Sequence, residues 1–372
     1  MNNWQDILNS TNAQIIAWAE GQSWAADMAA CRQDSQWHAE GDVWTHTKMV
    51  CAELEKLPEW PTLERYGQLK LLFTALLHDA GKPATTLIEP ETGRTRSPKH
   101  SIVGAALARD ILRELGVHLQ TREDIVNLVR YHGRPPFLLD RSKAEEEVIA
   151  LSWLVNNRLL YLFALADTRG RKTAETSRSE EKLRFWQIIA EENQCFDQPY
   201  PFLNDQARFL FHRQALSSLH YTPREDFRCT VTLMSGLPGA GKDTWLGKHR
   251  LGLPIVALDQ IRDDLGMDAT DNQGKVIQAA REQAREHLRA GRDFAFNATN
   301  TMQLTRKRWV DLFTDYGARI EVVYVEPKLP AIFERNRRRT NPVPEKVILH
   351  LLEKLEPPNM TECHSLVFAG EE

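Results

Sequence analysis

Residues 229–244 read Cys-Thr-Val-Thr-Leu-Met-Ser-Gly-Leu-Pro-Gly-Ala-Gly-Lys-Asp-Thr, an apolar β-prone run that breaks into a glycine-rich turn and closes on Lys242. Strand, tight turn and helix must follow one another there without a spacer, which commits the surrounding chain to a βα unit. Gly236, Gly239 and Gly241 can turn tightly and bring successive backbone N–H groups onto phosphates, while Lys242 opens the helix and reaches the terminal ones. The segment from Gly236 through Gly239, Ala240, Gly241, Lys242 and Asp243 to Thr244 therefore predicts a cradle for a nucleoside triphosphate, ATP or another NTP, with Mg²⁺. Asp243 stands where Ser or Thr normally holds the Mg²⁺. Either it ligates the metal directly or through water, or Thr244 substitutes; its plain reading is a carboxylate that favours the helix dipole.

The texture of the chain changes near Pro223. From Thr45 to about Ser217, apolar residues recur at three- and four-residue intervals in Leu69–Leu77, Ile102–Leu115, Glu123–Tyr131, Glu145–Leu154, Leu159–Asp167 and Glu180–Ile189. Beyond Pro223, short β-branched runs at Thr230–Met234, Ile255–Leu258, Phe294–Phe296 and Ile320–Val325 alternate with helical stretches. The pattern predicts two domains: an all-α domain over 1–222 and an α/β P-loop domain with a parallel sheet over 223–372. The turn-rich Leu219–Arg228 is the expected boundary.

Composition limits the partners. With a formal net charge of −4 the chain has no global footprint for nucleic acid, so such a partner must be held by local basic patches. The five cysteines share no metal-binding spacing and suit a reducing compartment. No run approaches a membrane span and the N-terminus lacks the pattern of a signal peptide, so a cytoplasmic protein without a membrane partner is expected.

In a parallel sheet, ligands gather at the carboxyl ends of the strands. Asp259 and Arg262 follow one such end: the carboxylate can accept the proton of an attacking hydroxyl and the guanidinium can clamp an anionic group, unless the two form only a surface i,i+3 pair. Asn297-Ala-Thr-Asn300 follows another, where Asn297 can orient a water or phosphate or serve merely as a turn residue. Arg335 to Arg339 concentrates four guanidiniums, of which Arg335 and Arg339 are expected to close over the triphosphate, with Arg337 and Arg338 as solvated surface. Arg281, Arg285 and Arg289 alternate with Glu282 and Glu286 as a salt-bridged exterior.

Gly236 to Trp245, the Asp259/Arg262 pair, Asn297-Ala-Thr-Asn300 followed by Arg306, and Arg335-Asn-x-x-Arg339 with Val343-Pro344 resemble the 5′-hydroxyl polynucleotide kinase family across nearly all of 229–360. The resemblance implies that Lys242 and Arg339 stabilise the transferring phosphate, that Asp259 is the general base, and that Arg262, with Asn297, Asn300 and Arg306, receives the acceptor strand. The family often has Asp at the position of Asn297 and Ser or Thr at that of Asp243, which leaves the Mg²⁺ ligands open.

In the helical half, His46, the adjacent His78 and Asp79, and Asp167 fall on separate helical segments and offer imidazole and carboxylate ligands for a transition-metal dication, Mn, Ni, Co or Zn. An isolated His-Asp pair is more often a hydrogen bond in a core. The full set resembles the HD phosphohydrolase superfamily, and Trp37-His38-Ala-Glu40, Asp42 and Thr45-His46-Thr47 are similar to the HD domain attached to some bacterial tRNA nucleotidyltransferases. His100 and His132 fall where dinuclear members of that superfamily place extra ligands; with Lys82 they are candidates for a second metal or for the substrate phosphate, and a single metal is the expectation. His38 is a candidate for orienting a ligand, and Arg96, Arg169 and Arg171 for holding phosphate.

The two halves in this order resemble the HD-Pnk type of bacterial RNA end-healing enzyme. The resemblance implies an ATP-dependent 5′-hydroxyl kinase joined to a metal-dependent phosphatase of 2′,3′-cyclic, 2′- or 3′-phosphate ends, acting on RNA or DNA ends ahead of a separate RNA ligase. The alternative is a nucleoside or metabolite kinase fused to an HD nucleotidase; a nucleotide-sensing module that binds ATP and an RNA end without turnover is disfavoured by the intact Asp259 and His78-Asp79.

Overall fold

The computed structural model describes residues 1–34, 39–172, 176–268, 271–339 and 341–370; Trp37 and His38 lie outside them. The chain forms two compact units, Met1–Pro201 and Phe202–Glu372. The division lies upstream of the expected 222/223. Helix Asp205–His212 belongs to the second unit because Arg208, almost fully buried, donates to the carbonyls of Cys363 and His364 at 3.2 and 2.6 Å. Phe209 stacks on the His364 ring at 4.2 Å.

The first unit is helical. Arg65–Leu77 is buried at nearly every position from Leu69 onward, as a helix apolar on all faces must be, and Val43–Lys56, Leu119–Tyr131 and Asn157–Arg169 pack around it. Asp42 caps Val43–Lys56 by accepting from the Thr45 N–H at 2.8 Å, and Asn156 caps Asn157–Arg169 by accepting from the Leu159 N–H at 2.9 Å. Helices Trp4–Leu8, Asn12–Glu20 and Ser23–Ala30 precede these. A short antiparallel hairpin, β1 (Leu87–Ile88) with β2 (Thr95–Arg96), leads into helix His100–Glu114.

The second unit is α/β. Strands β3 (Cys229–Ser235), β4 (Ile255–Ala257), β5 (Phe294–Asn297), β6 (Ala318–Val325) and β7 (Ser365–Ala369) form a parallel sheet in the order β4-β5-β3-β6-β7. Helices cover both faces of the sheet, and the buried stretches Leu233–Met234 of β3, Phe294–Phe296 of β5 and Val322–Val325 of β6 are accordingly apolar. The turn after β3 and the ends of β4 and β5 lie along the same edge of the sheet. Among the described residues, no helix is long and apolar enough to cross a membrane.

Candidate metal and phosphoryl-transfer sites

In the helical unit the sequence-predicted ligands converge. His46 sits in the first turn of Val43–Lys56, His78 caps the C-terminus of Arg65–Leu77 with Asp79 next, and Asp167 lies near the end of Asn157–Arg169. One atom each from His46, His78 and Asp167 fall within 4.8 Å of one another, and so do atoms of Asp79, His100 and His132. These are two ligand-sized clusters side by side, where one metal was the expectation.

The hydrogen bonds fix the tautomers. His78 Nδ1 lies 2.8 Å from the Ala75 carbonyl, His100 Nδ1 2.8 Å from that of Ser97, and His132 Nδ1 2.7 Å from that of Val129. A carbonyl only accepts, so each Nδ1 carries a proton and each Nε2 faces inward. His100 and His132 then face each other Nε2 to Nε2 at 3.3 Å, and the buried His78 Nε2 makes no hydrogen bond among the described residues. Imidazole nitrogens converging beside buried carboxylates, one of them without a hydrogen bond among the described residues, are what a dication would satisfy, so the residues fit a metal. His46 is oriented differently: Nδ1 lies 3.1 Å from Glu40 Oε1 and Nε2 2.9 Å from Asp167 Oδ1.

Burial alone would raise the Asp79 and Asp167 carboxyls. His78 and Lys82 beside the first, and Arg171 and His46 beside the second, hold both well below the usual carboxylate range. Lys82 Nζ is 2.7 Å from Asp79 Oδ2, and Arg171 pairs with Asp167. Burial pushes the His132 imidazole down to about 3, keeping it neutral. Burial works on His46 in the same sense, but its bonds to Asp167 and Glu40 outweigh it and leave its pKa raised. Gly81 lets the second cluster close: a Cβ there would stand 2.2 Å from the His100 carbonyl and 2.5 Å from the Gly104 nitrogen, so only glycine admits the helix that brings His100 to Asp79. A cleft of about 470 Å³ opens over the cluster, its lining including Arg32, Lys82, His100, Arg171 and Lys182. Such a cationic wall suits a phosphate ester.

In the α/β unit the turn after β3 wraps around Lys242, whose Nζ donates to the Gly236 and Leu237 carbonyls at 2.9 and 3.0 Å. Burial lowers its pKa to about 8. Gly239, at φ +81°, lies where a Cβ would meet the Ile332 carbonyl at 2.8 Å, which lets the turn pack on helix Leu329–Arg337. From that helix Arg335 donates to the Ala240 carbonyl at 3.0 Å. Asp259 follows β4 and is flanked by Arg262 at 2.7 Å and Arg339 at 3.5 Å. Partial desolvation by its neighbours tends to raise the carboxyl of this exposed side chain, but the Arg262 hydrogen bond and the charges of Arg262, Arg339 and Lys242 outweigh it and lower the pKa. Asn336 clasps Val343 through both backbone groups, accepting from its N–H at 3.0 Å and donating to its carbonyl at 2.7 Å.

Comparison with known proteins agrees with this division. Residues 43–154 match the HD domain family and residues 231–358 match a family described as AAA domain. The chain is an HD domain fused to a P-loop kinase-like domain. It is 30% identical to the CC-adding tRNA nucleotidyltransferase of Thermus thermophilus over 162 residues, which is 42% of this chain and 33% of that protein, so the chain spans about a third of the relative's length. An unliganded sugar kinase from a Janibacter species aligns over 38% of this chain and 84% of its own at 18% identity, with a TM-score of 0.28.

Two expectations for the kinase-like domain fail on burial. Arg306 is fully buried, its Nε and one terminal nitrogen on Glu362 at 2.8 and 3.0 Å and the other on the Asn300 carbonyl at 3.0 Å, so it holds the chain together and does not receive an acceptor. Asn300 is buried too and donates to the Met234 carbonyl at 2.9 Å, beside the cradle but turned from solvent. Arg337 and Arg338 pair with Glu345 and Glu334 on the surface, and Arg285 with Glu282, as solvated faces do. In the HD domain Arg169 is bound to Glu180 and Arg96 to Glu89, whereas Arg171 reaches the ligand cluster. The position of Glu40 behind His46 was not assigned from sequence, nor were Arg32, Gln33 and Lys182 as cleft residues. A carboxylate six residues before a candidate histidine ligand was the available signal for Glu40.

Proposed function

We propose that the chain heals broken RNA ends, the kinase-like domain phosphorylating a 5′-hydroxyl with ATP and Mg²⁺ and the HD domain removing a 2′,3′-cyclic, 2′- or 3′-phosphate. The observation that carries the reading is Asp259 standing between Arg262 and Arg339 at the end of β4, near the cradle lysine Lys242. Asp259 accepts the proton of the attacking hydroxyl while Arg262 holds an anionic group of the acceptor. Lys242 and Arg339 balance the charge on the γ-phosphoryl as its bond to ADP breaks and the bond to the 5′-oxygen forms. Arg262 also bonds Gln273 at 2.9 Å, and in this reading it takes on the acceptor's anionic group in addition.

In the HD domain His46, His78, Asp79 and Asp167 would hold a dication, with His100 and His132 either extending the ligand set or binding phosphate. A dication there would supply an activated water and polarise the ester. Lys82, Arg171, Arg32 and Lys182 orient the phosphate, and Glu40 fixes the His46 ring. The Thermus relative acts by its name on tRNA, which supports RNA as the substrate class. The two activities are complementary: they convert a cyclic phosphate and a 5′-hydroxyl into the 3′-hydroxyl and 5′-phosphate that an ATP-dependent RNA ligase joins.

The test gives the whole protein an RNA with a 5′-hydroxyl and a 2′,3′-cyclic phosphate, with ATP and Mg²⁺ and then Mn²⁺ or Ni²⁺, and follows each end separately. Phosphate gained at one end and lost at the other supports end healing. Turnover of free nucleosides or nucleotides with both RNA ends unchanged overturns it in favour of a metabolite kinase fused to a nucleotidase.

A further inference from the structure

The residue after the cradle lysine and the residue that ends the neighbouring strand have exchanged chemical types. In P-loop nucleotide-binding proteins a Ser or Thr hydroxyl after the lysine and a strand-end aspartate together hold Mg²⁺. Here Asp243 follows Lys242, and Asn297 ends β5, which pairs directly with β3 in the register Leu233↔Phe296. The two side chains touch, Asn297 Nδ2 donating to Asp243 Oδ1 at 2.6 Å. Taken together they still offer one carboxylate and one neutral oxygen donor.

A second observation points to a cation. Asn297 is 8% exposed, and its Oδ1 has no hydrogen-bond partner among the described residues. An amide oxygen buried without a donor is costly, and a hard dication that binds through oxygen is the partner it lacks. A carboxylate serving only the helix dipole would need neither the contact with Asn297 nor that orphaned oxygen.

We propose that Asp243 and Asn297 form a transposed metal pair, in which the carboxylate on the helix and the amide oxygen on the strand together hold the divalent cation of the bound nucleotide. The inference rests on the nucleotide-cradle part of the reading above and is independent of the acceptor.

The experiment measures binding rather than transfer, so it stands whether or not RNA is the substrate. The affinity of the whole protein for a non-hydrolysable ATP analogue is taken by calorimetry in EDTA and in Mg²⁺, and the ratio is the metal-dependent gain. Asp243→Ser removes a carboxylate from beside the triphosphate, so its EDTA affinity should be equal to or above that of the unaltered protein, and the gain counts as lost only where the affinity in Mg²⁺ itself falls. The substitution should cut the gain by about 10-fold or more, and Asp243→Ser with Asn297→Asp, which restores the usual arrangement, should recover it to within about 3-fold. Asn297→Ala, which removes the orphaned oxygen without adding charge, must also lower the gain and serves where an aspartate distorts β5. An unchanged gain in Asp243→Ser or in Asn297→Ala overturns the proposal. So does a double variant that binds normally in EDTA yet recovers nothing.

Discussion

The HD centre and the kinase centre differ first in how far each is assembled before a ligand arrives. His46, His78, Asp79 and Asp167 have side chains at most 3% exposed, and each already faces a charged or hydrogen-bonding neighbour. Asp259, by contrast, has a side chain 72% exposed and is held by two guanidiniums that are partly exposed themselves. A buried cluster must balance its charges within the fold, because an unpaired ionised group there costs several kcal/mol, on the order of the stability of a domain. The exposed centre has no such obligation and can leave charge for a substrate to complete. The HD centre should therefore respond to substitution through metal affinity and stability, the kinase centre through turnover.

The largest expected effects separate the two centres. Asp259→Ala should lower 5′ phosphorylation by about 10²- to 10⁴-fold, the range for loss of a general base, while leaving 3′-end dephosphorylation intact. Asp79→Ala should do the reverse. Both are read on an RNA labelled at each end, and equal loss of both activities in either variant would remove the distinction. Next comes the buried Arg306–Glu362 pair. Arg306→Ala strands a buried carboxylate and should destabilise the kinase-like domain by about 3–5 kcal/mol in urea unfolding. Protein that remains folded should keep its KM for the acceptor; a raised KM at unchanged stability would return Arg306 to substrate binding.

Smaller effects sharpen the comparison. Glu40→Gln should weaken metal binding to the HD domain by about 10- to 100-fold, as loss of a group behind a ligating histidine typically does, with the kinase unchanged. The check is a competition titration against a chelator. Lys242 supplies the smallest effect. Its folded pKa, about 8, lies below the unfolded 10.5, so the apo fold gains stability as pH rises from about 8 towards 10.5. A triphosphate favours the charged ammonium, so binding should take up a proton above pH about 8 and affinity should fall by up to about 10-fold per pH unit there. Calorimetry in two buffers of different ionisation enthalpy measures that uptake; none at alkaline pH would place Lys242 away from the phosphates.

Local signals made much of this readable. β3, β4, β5 and β6 and the helices that carry His78 and Asp167 announce themselves by period, and the cradle by its glycines. Features fixed by distant partners were not readable. Arg306 looks like a surface cation until Glu362, 56 residues on, is brought against it. The domain boundary was placed late because helix Asp205–His212 is anchored through Arg208 to carbonyls more than 150 residues away. β7 is a half-exposed strand whose pairing with β6 no periodicity could reveal. The shared Nδ1 geometry of His78, His100 and His132 likewise arises from backbone carbonyls three residues earlier, which residue type alone does not show.

The clasp between Asn336 and Val343 has a bearing on how Arg339 works. The side chain of Asn336, three residues before this arginine, holds the backbone of Val343, four residues after it. If Arg339 meets the γ-phosphate as proposed, the tie between Asn336 and Val343 reduces the ordering left to be completed when the nucleotide binds. On that proposal Arg339 is a preorganised arm, placed in advance by an asparagine that touches no ligand itself.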